Sequence, residues 1–433
     1  MVKEMLTGNY AAAWGARLAE VDYVPAFPIT PQTEIVEALS KWVNEGVMDA
    51  KYTDMDSEHS MIAAAGTAAA TGARVFTATS SQGLLYGYEM LYNIAGWRVP
   101  MVLVNVARAV SAPITLEPDH NDVLSARDTG IIQIHVETCQ EVLDTILMAY
   151  RISEDERVLL PVLVNMDGFY LSFTRESVVI PDKEEVRKFL PEYHPRHASF
   201  SASNPMAQGV AVLGGRIYSY FKYQMHMAAL NAATVHNEVA SDFERIFGRS
   251  YSAVEAFKME DADYVLIMSN SFTIKGKAAV ISFREKGIKA GLLKLRLIRP
   301  FPTAELRRHL KGRKVAAIID QNISPGSGGI LFNDVASALY HEPDRPRAIL
   351  SFVGGLGGKN ISFTEFNYII EEMKKCEETG IVPETQLLYT ENDLDQIRNL
   401  FTTAGKTPKE TNGLKPVFVP QTQHLNIEKY GGI

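Results

Sequence analysis

Residues 101–106, Met-Val-Leu-Val-Asn-Val, constrain this chain more than any other stretch. All but one of their side chains are apolar, although successive side chains of a strand point to opposite faces. A strand that is apolar on both faces must be covered on both, and a parallel sheet flanked by helices provides that cover. Comparable runs recur at 24–27, 74–79, 131–136 and 159–165, with helical periodicity between them at 11–19, 33–44, 59–70, 84–95 and 140–152. Small residues dominate the 59–70 helix, which predicts close packing against the sheet. Residues 1–180 are therefore expected to form a doubly wound α/β domain.

A second alternation begins near residue 262, with strands at 264–268, 290–295, 315–320 and 348–353 and helices at 275–286, 303–310 and 330–339. Residues 181–261 read as a linker or tether. Within it, Gly214-Gly215 and the mixed stretch 218–226 suggest loops, followed by a helix at 238–247. The second domain is expected to span 262–365. Beyond it, 366–433 reads as one helix and an extended, polar C-terminal arm.

Composition narrows the function classes. A chain of 433 residues exceeds one ordinary core. Its net charge of -8, dispersed along the sequence, argues against nucleic acid as a partner. No apolar run is long enough to span a bilayer, and no basic segment followed by an apolar one opens the chain, so it reads as cytoplasmic and not membrane-bound. Its two cysteines, Cys139 and Cys376, stand in no CxxC pattern. A disulfide framework is not expected, and an iron–sulfur cluster needs about four thiolates, more than this chain offers.

Polar motifs cluster where strands end. Phe27-Pro28-Ile29-Thr30-Pro31 follows a strand and precedes an amphipathic helix, with Thr30 placed as an N-cap and Pro31 as a first-turn proline. Beyond the carboxyl end of a strand is where open α/β sheets bind ligands, although a plain capped turn explains the same residues. Asp56-Ser57-Glu58-His59-Ser60 reads first as an acidic helix start and second as a carboxyl aimed at a ligand nitrogen. Thr79-Ser80-Ser81-Gln82-Gly83 either caps a helix or offers hydroxyls and N–H groups to a ligand. Arg108, after the 101–106 strand, has the two-pronged donor geometry that suits a carboxylate. Glu117, Asp119, His120 and Asp122 lie close enough to suggest metal ligands, but a self-bonded polar loop is the commoner outcome, and no metal is expected there. Neither GxGxxG nor GxxxxGK[ST] occurs, and the glycines at 326–329 and 354–358 are weak signals.

Taken in order, Gly8-Asn9, Phe27 to Pro31, Asp56 to Ser60, Thr79 to Gly83, Ala107-Arg108-Ala109 and Asp119-His120-Asn121-Asp122 resemble the alpha subunit of the 2-oxoacid:acceptor oxidoreductases, the pyruvate synthase family. The stretch Leu295-Arg296-Leu297-Ile298-Arg299-Pro300-Phe301-Pro302, Asp320-Gln321-Asn322 and the glycine-rich turn at 354–358 resemble that family's second domain. The likeness covers roughly residues 3–365 and is specific by order and spacing.

The resemblance implies a pyrimidine-binding thiamine diphosphate domain followed by a transketolase C-terminal-like domain. It implies oxidative, coenzyme A-dependent decarboxylation of a 2-oxoacid to acyl-CoA and carbon dioxide. Electrons would pass to [4Fe-4S] clusters on gamma-type and ferredoxin-like partner subunits, and then to ferredoxin or a nicotinamide-linked (NAD) acceptor. A beta-type subunit would carry the magnesium and diphosphate half-site, whose Gly-Asp-Gly signature this chain lacks. Carried over by position, Glu58 would hydrogen-bond the aminopyrimidine ring nitrogen and favour the imino form that activates the thiazolium carbon. Thr30 would hydrogen-bond the substrate, Arg108 would hold its carboxylate, and Pro28, Ile29, Ser81 and Gln82 would line the cofactor.

One departure bears on the substrate. Pyruvate-using members of the family usually carry an aromatic residue shortly before Asp119, where this chain has Thr115-Leu116-Glu117-Pro118. The missing ring leaves room for a larger side group, so an aromatic 2-oxoacid such as phenylglyoxylate stands beside pyruvate. Two further readings are a non-catalytic scaffold subunit of such a complex and a transketolase-like enzyme acting alone, the latter disfavoured by the missing magnesium signature.

Overall fold

Two-sided apolarity has the expected consequence, and the strands of the first half form a parallel sheet. The computed structural model describes residues 2–195, 200–209, 211–403 and 419–420. They divide into two units, the first comprising Met1–Glu255, Ser269–Ser271 and Leu295–Pro302, the second Ala256–Met268, Phe272–Lys294 and Thr303–Ile433.

In the first unit the chain runs β1 (Val2–Thr7), α1 (Gly8–Leu18), β2 (Tyr23–Ala26), α2 (Thr33–Asn44), β3 (Lys51–Asp54) and α3 (Glu58–Ala69). It continues β4 (Phe76–Thr79), α4 (Gln82–Tyr86), α5 (Tyr88–Trp97), β5 (Val102–Ala107), α6 (Asn121–Ser125), β6 (Ile132–His135), α7 (Cys139–Ser153), β7 (Val162–Asp167), β8 (Arg175–Ile180) and α8 (Lys183–Phe189). Strands β6, β7, β5 and β4 pair in parallel in that order. Strands β2 and β3 form a parallel pair, and a parallel bridge from Tyr23 to Val75 joins it to the β4 side. Every residue of β5 and β7 is buried. One cross-strand row is polar, however: Thr79, Asn105, Asn165 and His135 stand opposite one another on β4, β5, β7 and β6.

Several boundaries differ from the sequence reading. The 84–95 helix is broken in two, α4 and α5 meeting at Gly87, where an added Cβ would fall 2.4 Å from Ile62 Cδ1. Helix α3 packs against β2 and β4 as expected, and its small residues also admit a helix, since a Cβ on Gly66 would fall 2.4 Å from Ile94 Cγ1 of α5. Strands β1 and β8 form an antiparallel pair that the exposed, mixed side chains of β1 did not announce.

The largest correction concerns 208–260. Residues Gly215–Phe247 form one helix, α9, of 33 residues and about 50 Å. Only its second half carries an apolar stripe, from Ala228 and Ala232 through Val235 and Val239 to Phe243 and Phe247, and that half joins the core of the first unit. There Phe189, Phe247 and Tyr251 surround Phe243 with ring centroids 4.5–5.7 Å away. In its first turns Ile217, Tyr218, Tyr220, Phe221 and Tyr223 are each at least half exposed, which erases the one-sided periodicity that identifies a helix.

The second unit follows its expected pattern closely. After β9 (Val254–Phe257) come β10 (Tyr264–Met268), α10 (Thr273–Glu285) and β11 (Ala290–Leu295). Strand β12 (Leu297–Arg299) intervenes before α11 (Thr303–Leu310), β13 (Val315–Asp320), α12 (Ile330–Leu339), β14 (Ala348–Val353) and α13 (Phe363–Thr379). The last elements among the described residues are β15 (Gln386–Leu387), α14 (Glu391–Thr403) and β16 (Val419–Pro420). Their sheet has the order β16-β15-β14-β13-β10-β11-β9. Asp320, fully buried, accepts from Leu331 N at 2.8 Å and Phe332 N at 3.1 Å, which caps α12.

Two expectations about this half change. Residues 295–302, read with the second domain, belong in space to the first unit, where β12 pairs antiparallel to β6. Fully buried Leu297 and Ile298 and the nearly inaccessible Arg296 explain why that excursion is held. Arg296 bonds Glu141 at 2.5 Å and Glu255 at 2.6 Å. The C-terminal arm begins with a second helix, α14, rather than an extended chain, and its course over 404–418 and 421–433 lies outside the described residues.

Candidate functional site

The polar motifs converge in the first unit because parallel strands end on the same side. The turn after β2 holds Pro28, Ile29 and Thr30, the turn after β4 holds Ser81 and Gln82, and the end of β5 delivers Arg108. Arg108 Nη1 donates to Thr30 O at 2.6 Å and Nη2 donates to Gln82 Oε1, so three separate motifs meet at one guanidinium. Thr30 therefore contributes its carbonyl here, while its side chain is exposed.

Thr30 is not an N-cap and Pro31 is not in the first helical turn. Helix α2 begins at Thr33, with Gln32 as the capping position. Gln32 N bonds Ile29 O at 2.9 Å and Gln32 Nε2 bonds Phe27 O at 2.8 Å, closing the turn that contains Thr30. Asn9 Nδ2 reaches Pro31 O at 2.9 Å, which gives the Gly8-Asn9 motif a structural task.

Arg108 is only 7% exposed, and burial lowers its pKa while the nearby charges of Asp122 and Glu58 oppose that effect. Among the described residues no carboxylate forms an ion pair with it, and its Nε is buried without a partner. A guanidinium held by two neutral oxygens in this way keeps its charge available for an anion.

Glu58 opens α3 behind the N-cap Ser57, whose hydroxyl accepts from Ser60 N at 3.2 Å. The Glu58 side chain is 7% exposed and accepts no hydrogen bond among the described residues. Gly83 makes room for it, since a Cβ there would fall 2.6 Å from Glu58 Oε1 and 2.5 Å from Thr79 Oγ1. Thr79 Oγ1, Ser80 Oγ and Gln82 Nε2 are likewise buried without partners. A carboxylate, two hydroxyls and an amide N–H without partners are donors and acceptors suited to a polar ring. Ser81 differs: it is fully buried, its hydroxyl donates to Ala109 O at 3.2 Å and its N–H donates to Asp122. Both donors are spent inside the chain, so Ser81 supports the turn.

Within the loop at 117–122 Asn121 N bonds Asp119 Oδ1 at 3.0 Å, but His120 and Asp122 bond outward to Asp167 and to Ser81, Asn105 and Arg108. Among the described residues no group of three or more His, Cys, Asp or Glu is arranged to hold a metal. His120 Nε2 and Asp167 Oδ1 lie 2.9 Å apart, both fully buried. Asp167 also accepts from Asn270 Nδ2 at 2.9 Å and Ser271 N at 3.0 Å. Burial raises the Asp167 pKa, but His120, Ser271 and Asn270 outweigh it and hold the carboxyl below its ordinary range. Burial likewise lowers His120, but Asp167 overrides it and raises the imidazole. Both cysteines are buried, and burial raises each thiol, which makes them poor metal or cluster ligands.

Gly83 and Asn105 escaped the sequence reading as site residues. The single polar residue in the apolar run 101–106 was the available signal for Asn105, because a buried amide on such a strand needs a dedicated partner. It has two, Asp122 Oδ2 at 3.0 Å and Asn165 Oδ1 at 2.8 Å.

The parallel sheets define an α/β protein, and its class is the thiamine-diphosphate-binding one. A family model described as the thiamine-diphosphate-binding domain of pyruvate flavodoxin/ferredoxin oxidoreductase matches residues 14–241, and one described as pyruvate:ferredoxin oxidoreductase core domain II matches residues 262–366. The chain is 41% identical over 381 residues to pyruvate synthase subunit PorA of Pyrococcus furiosus, covering 88% of this chain and 96% of that protein. It is also 41% identical over 380 residues to ketoisovalerate oxidoreductase subunit VorA of Pyrococcus horikoshii, covering 88% and 95%. The chain belongs to the family of alpha subunits of the 2-oxoacid:ferredoxin oxidoreductases.

Two solved structures share the fold. One is 2-oxoglutarate:ferredoxin oxidoreductase from Magnetococcus marinus with 2-oxoglutarate, coenzyme A and succinyl-CoA bound, at TM-score 0.66 and 19% identity. The alignment covers 86% of this chain and 65% of that one. The other is a split-gene transketolase in an inactive beta4 tetramer, at TM-score 0.51 and 12% identity, covering 86% of this chain and all of that one. Among the described residues no helix is long and apolar enough to cross a membrane.

Proposed function

We propose that this chain supplies the pyrimidine-binding half of a thiamine diphosphate site in a complex that oxidatively decarboxylates a 2-oxoacid to acyl-CoA. A beta-type subunit carries the magnesium and diphosphate half. The observation that carries the reading is Glu58, a carboxylate 7% exposed at a helix start with no donor of its own. When bound, the cofactor supplies the nucleophilic carbon at which a 2-oxoacid loses carbon dioxide. Glu58 would accept a hydrogen bond from the protonated ring nitrogen and so fix where that proton resides. Pro28 and Ile29 provide an apolar wall beside it, and Gln82 Nε2, buried and unpartnered, is a donor to the ring. Arg108 receives the substrate carboxylate, and the exposed Thr30 hydroxyl bonds the substrate beside it. Holding the carboxylate on a fixed cation orients the adjacent oxo carbon for attack.

Electrons leave through clusters on gamma-type and ferredoxin-like subunits, since this chain's two buried thiols fall short of the four that a cluster needs. Ferredoxin or an NAD-linked acceptor takes them onward. Relatives named for pyruvate and for ketoisovalerate support a 2-oxoacid as the substrate class. The loop before Asp119 carries Thr115-Leu116-Glu117-Pro118 and no ring, which supports a side group larger than methyl, such as phenylglyoxylate's.

Glu58→Ala in the assembled complex is expected to abolish turnover and cofactor retention together. Full activity in that variant would fit a scaffold subunit and refute the cofactor role. Turnover of pyruvate against phenylglyoxylate decides the substrate, and a strong preference for pyruvate removes the aromatic assignment.

A further inference from the structure

We propose that Asp122 is a positioning residue for this reaction, one that locks Arg108 and the turn carrying Gln82 against each other and so sets where the substrate carboxylate is received. The inference rests on the role given to Arg108 above.

Asp122 is fully buried in α6. Its Oδ2 accepts from Ser81 N at 3.2 Å, from Arg108 N at 3.2 Å and from Asn105 Nδ2 at 3.0 Å. Its Oδ1 accepts from Val123 N at 2.6 Å. The three donors to Oδ2 come from the ends of two strands, β4 and β5, and this one oxygen joins them. Ser81 has φ 45° and ψ −115°, a conformation that residues with a Cβ rarely hold without support. That backbone aims the next residue, Gln82, whose Oε1 accepts from Arg108 Nη2. The same two turns are bridged again where Ser81 Oγ bonds Ala109 O. Without the Asp122 carboxylate, two backbone N–H groups and the Asn105 amide lose their shared acceptor, and Arg108 and Gln82 lose their common frame.

A carboxylate here is costly to keep. Burial pushes Asp122 up to about 6 and Asp119 in its own loop adds to the rise, against the hydrogen bonds from Asn105, Val123 and Arg108. The charged and titratable groups facing it are Asp119 and His120 in its own loop and the Arg108 guanidinium at the end of β5, with Glu58 acting on Arg108 from α3. Protonation would place an O–H where three donors already point, which opens the clamp.

The test uses the assembled complex with pyruvate and phenylglyoxylate as probes. Asp122→Ala is expected to raise the KM for the 2-oxoacid at least about tenfold while kcat and bound thiamine diphosphate change by less than about threefold. Asp122→Asn, which like the protonated acid keeps one acceptor oxygen and gains a donor, is expected to raise KM part of the way toward the alanine variant. A folded Asp122→Ala complex with unchanged KM overturns the inference, as does a joint loss of kcat and cofactor content. Should the alanine variant fail to fold, pH asks the same question: wild-type KM rises as pH falls through about 6 and that of Asp122→Asn stays flat. A flat profile in the wild type overturns the inference. A wild-type complex inert toward every 2-oxoacid overturns the functional reading and this inference with it, whereas an active one with unaltered KM in the variants overturns this inference alone.

Discussion

Gly83→Ala tests the site without removing any functional group. A Cβ at Gly83 would stand 2.6 Å from Glu58 Oε1, 2.9 Å from Glu58 Cγ and 2.5 Å from Thr79 Oγ1, while ordinary contact begins at 3.4 Å. The Glu58 carboxyl must then withdraw by about 0.8 Å, the difference between 3.4 and 2.6 Å. A misplacement near 1 Å costs on the order of a hundredfold in rate. Stability moves less. Alanine near a helix start gains at most about 1 kcal/mol over glycine, against about 1–3 kcal/mol for overpacking. Loss of activity should therefore exceed loss of stability, as read by turnover of the assembled complex beside its thermal melting. Gly96→Ala is the matched control, because its Cβ meets nothing within 4 Å on the exposed side of α5. It should stabilise by up to about 1 kcal/mol with turnover unchanged. Full activity in a correctly folded Gly83→Ala complex would show that the position of Glu58 does not matter, and the cofactor assignment would fall.

Three other perturbations have definite expected outcomes. Arg108→Lys keeps the charge but replaces the rigid two-pronged donor that bonds Thr30 O and Gln82 Oε1 with a single nitrogen, so steady-state kinetics should show a KM for the 2-oxoacid raised about tenfold to a hundredfold. Arg296→Met removes the cation from the buried Glu141 and should cost about 3–5 kcal/mol, seen as a lower urea midpoint. His236, buried in α9, is lowered to about 4, chiefly by burial and then by Arg296. Its folded pKa lies below its unfolded one, so the stability it contributes is complete above about 6.5 and is lost as pH falls toward 4, amounting to about 3 kcal/mol. Urea midpoints taken between pH 7 and pH 4 should fall less steeply in His236→Leu than in the wild type.

Much of the fold was legible because the signals that specify it are local. The two-sided apolar strand at 101–106 and the uninterrupted strands of the second unit can be satisfied only in a covered parallel sheet. Helix α9 was illegible in its first half because aromatic side chains surround it, which removes the periodicity that a one-sided burial would impose. The site was legible in its parts and not in its connections. Glu58, Thr30 and Arg108 stood at strand ends, where ligands are expected, but their spacing along the chain could not show that Arg108 grips the Thr30 carbonyl. Nor could it show that Asp122, one of a cluster of acids in a loop, takes Ser81 N from 41 residues away.

The sequence by itself determined the α/β class, the two-unit organisation and the residue types available for chemistry, because burial patterns and turn chemistry act between near neighbours. Tertiary structure decided which polar groups are used up and which are left over. Ser81 and Glu58 read alike in the sequence, as polar residues at helix starts. In the fold Ser81 spends both its donors on the chain, whereas Glu58 accepts no hydrogen bond among the described residues. That difference arises from hydrogen bonds closed between strands distant in sequence, and the role proposed for Glu58 rests on it.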